Sequence, residues 1–180
     1  MGKDIHVIVC KYNKETNLYH KLALFRLRRE NEMKGYNHDG TTYEIKDPYI
    51  EVPVYTFRNY ELFDILCDRG AEESCFPHRE ISYPSLEPEL REEVESDKNA
   101  EGFFDFSETN FAEIALYLKE HPKVKDYDAD WGEDGKDVQY KDNPVKSFYE
   151  LCYNYAYQAD DWFFINDYLS SYKVLYWFDW

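Results

Sequence analysis

Cysteine is sparse in this chain, and its four positions show none of the spacings that carry chemistry. Cys10, Cys67, Cys75 and Cys152 form no C-x-x-C pair and no zinc-ribbon pattern, which argues against a disulfide framework or a structural zinc and for reduced core thiols. Long apolar runs are missing as well. Nothing approaches the roughly 18 residues of a membrane span, and residues 1–13, MGKDIHVIVCKYN, lack a basic leader, an apolar stretch and a small-residue cleavage site. These absences predict a cytosolic protein with no membrane partner. Bases are also few, with 21 Lys and Arg against 37 Asp and Glu, a net charge of −16. No phosphate loop, nucleophile elbow, zinc-protease helix or dinucleotide fingerprint occurs. His20, His38, His78 and His121 are scattered without ligand spacing. An ordinary metabolic enzyme is disfavoured, and so is tight binding of free nucleic acid, which needs clustered Lys and Arg.

What is present is apolar and aromatic. A hydrophobic fraction of 43% and an aromatic fraction of 19% are too high for a disordered acidic tail, so the acid decorates a folded protein. At 180 residues the chain predicts a single α+β domain spanning 1–180. The charge is uneven: residues 1–80 carry 14 acids and 12 bases, net −2, whereas residues 81–180 carry 23 acids and 9 bases, net −14. A basic partner is the natural complement of the second part.

Periodicity supplies the elements. From Asp4 to Tyr12, Ile5, Val7 and Val9 alternate with Asp4, His6, Ile8 and Cys10, the pattern of a strand. The turn at residues 13–17 leads into a β-rich run, Leu18 to Arg28, predicting a hairpin in a mixed or antiparallel sheet. Thr42–Ile45 reads as a short strand, and Pro48 and Pro53 make Ile50–Phe57 an edge strand or extended loop. About four helices are expected on the sheet. The first is capped by Asn59, carries Tyr60, Phe63 and Cys67 on one face and stops at Gly70. The second runs from Ser85, with Leu86, Leu90 and Val94 inward and Glu92, Glu93 and Glu95 outward. The third has Phe111, Ile114, Ala115 and Leu118 in phase before Pro122. An acidic loop, residues 126–143, precedes a fourth helix that opens at Asn143-Pro144 and buries Val145, Phe148, Leu151, Cys152 and Tyr155. A further short helix is expected near Asp160 and Asp161, and Lys173–Asp179 closes the sheet as a strand.

Four constellations are candidates for chemistry or contact. Asp4 and His6 project from the same strand face, where a carboxylate and an imidazole can share a proton or a divalent metal, and Asp179 joins them if the terminal strands are neighbours. The competing reading has them close the sheet as satisfied polar groups. Arg58 and Asn59 are candidate anion contacts, with capping and a surface ion pair as the alternative. Asp126, Asp128 and Asp130, with Asp137 further on, approach a calcium loop, but Trp131 intrudes before Gly132 and Asp137 is shorter than the usual glutamate, so a solvated acidic loop is the plainer reading. No cofactor is expected. Tyr149, Tyr153 and Tyr157 recur every four residues, and with 18 tyrosines in the chain some are expected on the surface among the carboxylates, as anchors of a protein interface. The same tyrosines offer a homodimer contact, which self-repulsion opposes.

Three patches carry a resemblance. The opening Met1-Gly2-Lys3-Asp4-Ile5-His6 resembles the Met-Gly-Cys-Asp-Ile-His start of a family of small phage and mobile-element proteins. Arg58-Asn59-Tyr60-Glu61-Leu62-Phe63 resembles that family's Arg-Asn-Tyr-x-Leu-Phe helix start, and Val174-Leu175-Tyr176-Trp177-Phe178-Asp179 its final strand. Lys3 replaces the family cysteine, Cys10 stands where an acid is usual, and the stretch 102–114 keeps Ser107 and Ala112-Glu113 without the family histidines. The resemblance implies a mobile-element origin in a bacterial host. Joined to the acidity, it leads to an expected function: an anti-CRISPR inhibitor of a type II CRISPR effector nuclease or its guide-RNA complex. In it Glu92, Glu93, Glu95, Asp126, Asp128, Asp130, Glu133 and Asp134 imitate phosphates, beside Tyr149, Tyr153 and Tyr157. The alternatives are a nuclease acting on guide RNA with its centre near Asp4 and His6, and a prophage interaction module.

Overall fold

A strand whose apolar side chains point both ways must be covered on both faces, and Ile5 and Val9 on one side of the first strand, with Ile8 and Cys10 on the other, are all buried. The computed structural model describes residues 4–67, 75–126, 139–160 and 169–179. Along the chain it shows β1 (Asp4–Asn13), β2 (Leu18–Lys21), β3 (Phe25–Leu27), β4 (Lys34–Tyr36), β5 (Thr42–Glu44), β6 (Tyr49–Glu51), α1 (Tyr60–Leu66), β7 (Arg79–Glu80), α2 (Pro88–Lys98), β8 (Phe103–Asn110), α3 (Phe111–Glu120), β9 (Lys123–Lys125), β10 (Tyr140–Asp142), α4 (Val145–Ala159) and β11 (Tyr172–Asp179). The fold is α+β, and its main sheet is antiparallel with strand order β2-β1-β11-β8-β7. Two compact units divide the chain: residues 1–22 with 54–180, and residues 23–53.

In the first unit β1 and β11 pair over eight residues, from Asp4 opposite Asp179 to Lys11 opposite Tyr172. This register sorts the side chains into two layers. Ile8, Cys10, Leu175 and Trp177 pack with Leu86, Leu90 and Val94 under α2. On the opposite face Phe178 meets Phe63 of α1 at 5.4 Å between ring centroids, and Tyr172 stacks on Phe111 of α3 at 5.5 Å. The Tyr176 hydroxyl, buried, donates to the Leu66 carbonyl at 2.9 Å. Each such buried side chain contributes about 1.5–3 kcal/mol.

The helix starts follow their caps. Asn59 accepts from the Leu62 N–H at 3.0 Å, so α1 begins as expected, but its buried residues are Leu62, Phe63 and Leu66, and Tyr60 is exposed. The expected stop at Gly70 lies outside the described residues. Asn110 and Glu113 form a reciprocal capping box at α3. The Asn143 side chain accepts from the Val145 N–H at 3.0 Å and donates to the His121 carbonyl at 2.9 Å, tying the start of α4 to the end of α3. Helix α2 begins at Pro88 rather than Ser85, because a residue before proline is driven out of the helical region and Glu87 is extended at φ −57°, ψ 150°. Asp160 ends α4, and the short helix expected after it lies outside the described residues.

Three further expectations need correction. The run Leu18–Arg28 is not one strand: β2 ends at Lys21, Leu22 still donates to the Val9 carbonyl at 2.9 Å, and β3 then pairs with β6 in a separate ladder. The stretch 126–143 is not all loop, since β9 and β10 form a ladder at its base. Strand β8 has no counterpart in the sequence reading. Its alternation is broken by a bulge: Asp105 sits at φ +55° and the register against β11 shifts between Tyr176 and Phe178. Phe104 stacks on Phe178, whereas Phe106, two residues on, stacks on Trp177 on the other face.

The second unit, residues 23–53, holds two short ladders, β3 with β6 and β4 with β5. Gly40, at φ +83°, makes the turn between β4 and β5, where Asn37 donates to the Thr41 carbonyl at 2.8 Å. At Gly35 a Cβ would fall 2.2 Å from the Tyr43 ring, so the tyrosine lies against the glycine and would have to swing aside for a larger residue.

The sheet also encloses charge. Lys173 is 3% exposed and Glu108 5% exposed. The Lys173 Nζ donates to Glu108 Oε2 at 2.9 Å and to Ser85 Oγ at 3.1 Å, and lies 4.0 Å from the centre of the Tyr19 ring. Glu108 also accepts from the Ser82 N–H at 3.1 Å. Without Lys173, Glu108 keeps only the longer contact to the half-exposed Arg79 Nε at 3.5 Å, and without Glu108 the buried Lys173 loses its carboxylate. Lys173→Met is expected to cost about 3–5 kcal/mol in urea unfolding, and the double variant Lys173→Met/Glu108→Leu to recover most of it; a double variant no better than the single one refutes this account.

Candidate functional site

The β1–β11 register places Asp4 beside Asp179 and His6 beside Trp177, and the diagonal between the two pairs makes a polar cluster at one end of the sheet. His6 Nε2 lies 3.0 Å from Asp179 Oδ2, while Asp179 Oδ1 accepts from the Asp4 N–H at 3.1 Å. The imidazole stacks on the Trp177 ring, centroids 5.6 Å apart and planes 6° apart, and meets Phe103 edge-on at 5.3 Å. Phe106 covers the other face of Trp177 at 5.3 Å, and the indole N–H donates to Asp97 of α2 at 3.0 Å. Packing therefore fixes the orientation of His6, and its side chain remains 37% exposed.

Arg58 comes from the segment that Asn59 caps. Its Nε and Nη2 donate to the two oxygens of Asp4 at 2.5 and 2.9 Å, a bidentate fork. This bond holds the Asp4 carboxyl below its usual range. The three residues suspected as a centre, Asp4, His6 and Asp179, thus meet, and Arg58, read as an anion contact or a surface ion pair, joins them as an ion pair with Asp4. Their contacts assign different tasks: Asp4 is occupied by Arg58, whereas His6 and Asp179 form a dyad that can hold or pass a proton. No grouping of three or more metal-ligating side chains occurs among the described residues.

The acidic residues fall in two places. Glu92, Glu93 and Glu95 are exposed on α2 with Glu89, their helix anchored from below by Leu90 and Val94. Lys21 of β2 holds Glu93 at 2.8 Å. Asp126 is half-buried and lies 3.5 Å from Lys141, which also pairs with Glu61 at 2.8 Å. Asp128, Asp130, Glu133 and Asp134, with Asp137, lie outside the described residues.

The tyrosine stripe turns inward for two of its three members. Tyr149 meets Phe111 edge-on at 5.7 Å and Tyr153 stacks on it at 6.3 Å, and burial pushes the Tyr149 hydroxyl up to about 12. Only Tyr157 of the three is exposed. Of the cysteines, Cys10 and Cys152 are buried thiols whose ionisation burial opposes, and Cys75 is exposed. Trp177, Phe103 and Phe106, which shape the cluster, are brought together by the strand register, and Asp97 by the packing of α2 on the sheet. No protein-family model, curated protein or solved structure matches this chain.

The Asp4–Arg58 fork has a measurable signature. Because the folded value is depressed, its stabilisation is complete above the ordinary carboxylate value of 3.8 and is lost as pH falls through the folded value. Carboxyl NMR is expected to place Asp4 below 3.8 in the native protein and to move it upward in Arg58→Ala; an unchanged titration removes the fork from the account.

Proposed function

We propose that this protein is a counter-defence protein of phage or mobile-element origin that binds a basic, nucleic-acid-handling protein, with a type II CRISPR effector nuclease as the specific target. The carrying observation is the solvent face of α2, where Glu89, Glu92, Glu93 and Glu95 stand exposed on a helix held by Leu86, Leu90 and Val94. Side chains three and four apart on a helix are about 5–6 Å apart, so these carboxylates form one dense acidic face. A channel evolved to hold guide and target is positively charged and attracts such a face. The chain's net charge of −16 speeds encounter with it. Glu93 is already paired with Lys21 at 2.8 Å, so Glu89, Glu92 and Glu95 carry most of the charge this face offers a partner.

Binding to the assembled nuclease and guide RNA, followed with target cleavage as ionic strength rises, tests the proposal. Association is expected to slow with salt, and Glu92→Lys/Glu95→Lys to lose about tenfold or more in association rate. Absence of binding at low salt sinks it.

One observation favours a second reading. The His6–Asp179 dyad, 3.0 Å apart beside the Arg58 guanidinium, has the parts of an acid–base centre acting on a phosphodiester presented by the host ribonucleoprotein. A guide RNA shortened by the wild type and left intact by His6→Ala and Asp179→Asn is the expected result under this reading. Intact RNA with the wild type, or equal cutting by the variants, eliminates it.

A further inference from the structure

The unit at residues 23–53 is built unlike the rest of the chain: not one of its residues is buried, yet it is rich in large apolar side chains. Phe25, Leu27, Tyr36, Tyr43 and Tyr49 are between 52% and 74% exposed. Scattered single apolar residues need no explanation on a protein surface, but these are arranged. In the β3–β6 ladder Leu27 stands opposite Tyr49 and Phe25 opposite Glu51, so Phe25, Leu27 and Tyr49 share one face, with Glu51 at its end, and Arg26 and Ile50 take the other.

The polar groups of this unit are spent on holding it in shape. Arg26 donates to both oxygens of Glu32 at 2.7 and 2.8 Å, and Glu32 also accepts from the Arg29 N–H at 2.7 Å. Those bonds push the Glu32 carboxyl down to about 2. Arg28 Nε donates to the Asp47 carbonyl at 3.0 Å, the Arg28 N–H to the Pro48 carbonyl at 2.7 Å, and the Ile45 N–H to the Met33 carbonyl at 2.8 Å. Asp39 accepts from the Thr41 N–H and hydroxyl at 2.9 and 2.6 Å. A pair of two-stranded ladders with no core of its own is thus ordered by side-chain ties, and it displays its apolar groups outward.

We infer that the Phe25, Leu27 and Tyr49 face is the apolar anchor by which this protein grips its basic partner, docking into an apolar patch on that protein. The inference rests on the binding function proposed above and adds the surface that sets the lifetime of the complex. Charge selects this occupant. The unit carries five bases and six acids, net −1, leaving −15 of the chain's −16 elsewhere. A second copy of the chain is repelled by that charge. Nucleic acid is repelled as well, and Arg26 and Arg28 are already committed to Glu32 and to the Asp47 carbonyl. A basic protein is the occupant that the charge draws in, and a phenylalanine, a leucine and a tyrosine held in one ladder are anchors that act on dissociation.

The test compares three proteins on the immobilised nuclease–guide complex by association and dissociation rates: wild type, Glu92→Lys/Glu95→Lys, and Phe25→Ser/Leu27→Ser/Tyr49→Ser. The replaced side chains of the triple variant are exposed, so its thermal unfolding should match the wild type. As a milder control, Tyr49→Phe keeps the apolar face. The triple variant is expected to dissociate at least about tenfold faster with its association rate and salt dependence kept, Tyr49→Phe to behave as wild type, and the charge variant to lose association rate. Dissociation unchanged in the triple variant while the wild type binds overturns the anchor and leaves the binding function standing. Failure of the wild type to bind overturns both. A wild-type dimer in sedimentation, or binding of a single-stranded oligonucleotide, that the triple variant abolishes also overturns it by assigning the face to another occupant.

Discussion

The antiparallel pairing of β1 with β11 is the constraint on which the first unit depends. It joins residues more than 160 positions apart, from Lys11 with Tyr172 to Asp4 with Asp179, and so closes the longest loop in the protein. Loop closure costs entropy that grows slowly with length, and here an eight-residue ladder with apolar side chains on both faces offsets it. A slip of one residue would exchange the two faces, taking Leu175 and Trp177 from beneath α2 and Tyr176 and Phe178 from beneath α1 and α3. The same register makes the polar cluster, because only it sets His6 against Trp177 and within reach of Asp179.

Charge enters the interior at two points of this sheet. Lys173 and Glu108 pair on the α2 side, and Lys11 donates to Asp160 at 2.7 Å where the Tyr172 hydroxyl also donates, at 2.6 Å. Buried ion pairs contribute little net stability, since desolvation cancels most of the attraction, but each fails badly when half of it is misplaced. They penalise wrong registers. With Asp179, Lys173 and Tyr172 all on β11, one strand carries the partners of His6, Glu108 and Asp160.

The two units differ in net charge: residues 23–53 carry −1 of the chain's −16. Exposed glutamates stand on α2 in the first, while residues 23–53 are nearly neutral and present aromatic side chains. Long-range attraction governs how fast a charged protein finds its partner, and buried apolar contact governs how long it stays.

Much of the architecture was legible in the sequence. The alternation of residues 4–12 read as a strand, Asn59 and Asn143 mark helix starts by their short polar side chains, and the spacing of Leu90 and Val94 showed which side of α2 is acidic. These are local properties, governed by residues within a few positions of one another. The suspected grouping of Asp4, His6 and Asp179 was legible only as a condition on two strands being neighbours. Tertiary structure decided the rest. The bulge at Asp105 concealed β8 by breaking its period, Phe111 drew Tyr149 and Tyr153 inward, and Arg58 crossed from the start of α1 to occupy Asp4. Each of these outcomes turns on a partner far away in sequence, and periodicity and composition carry no information about which distant residue will fill a given space.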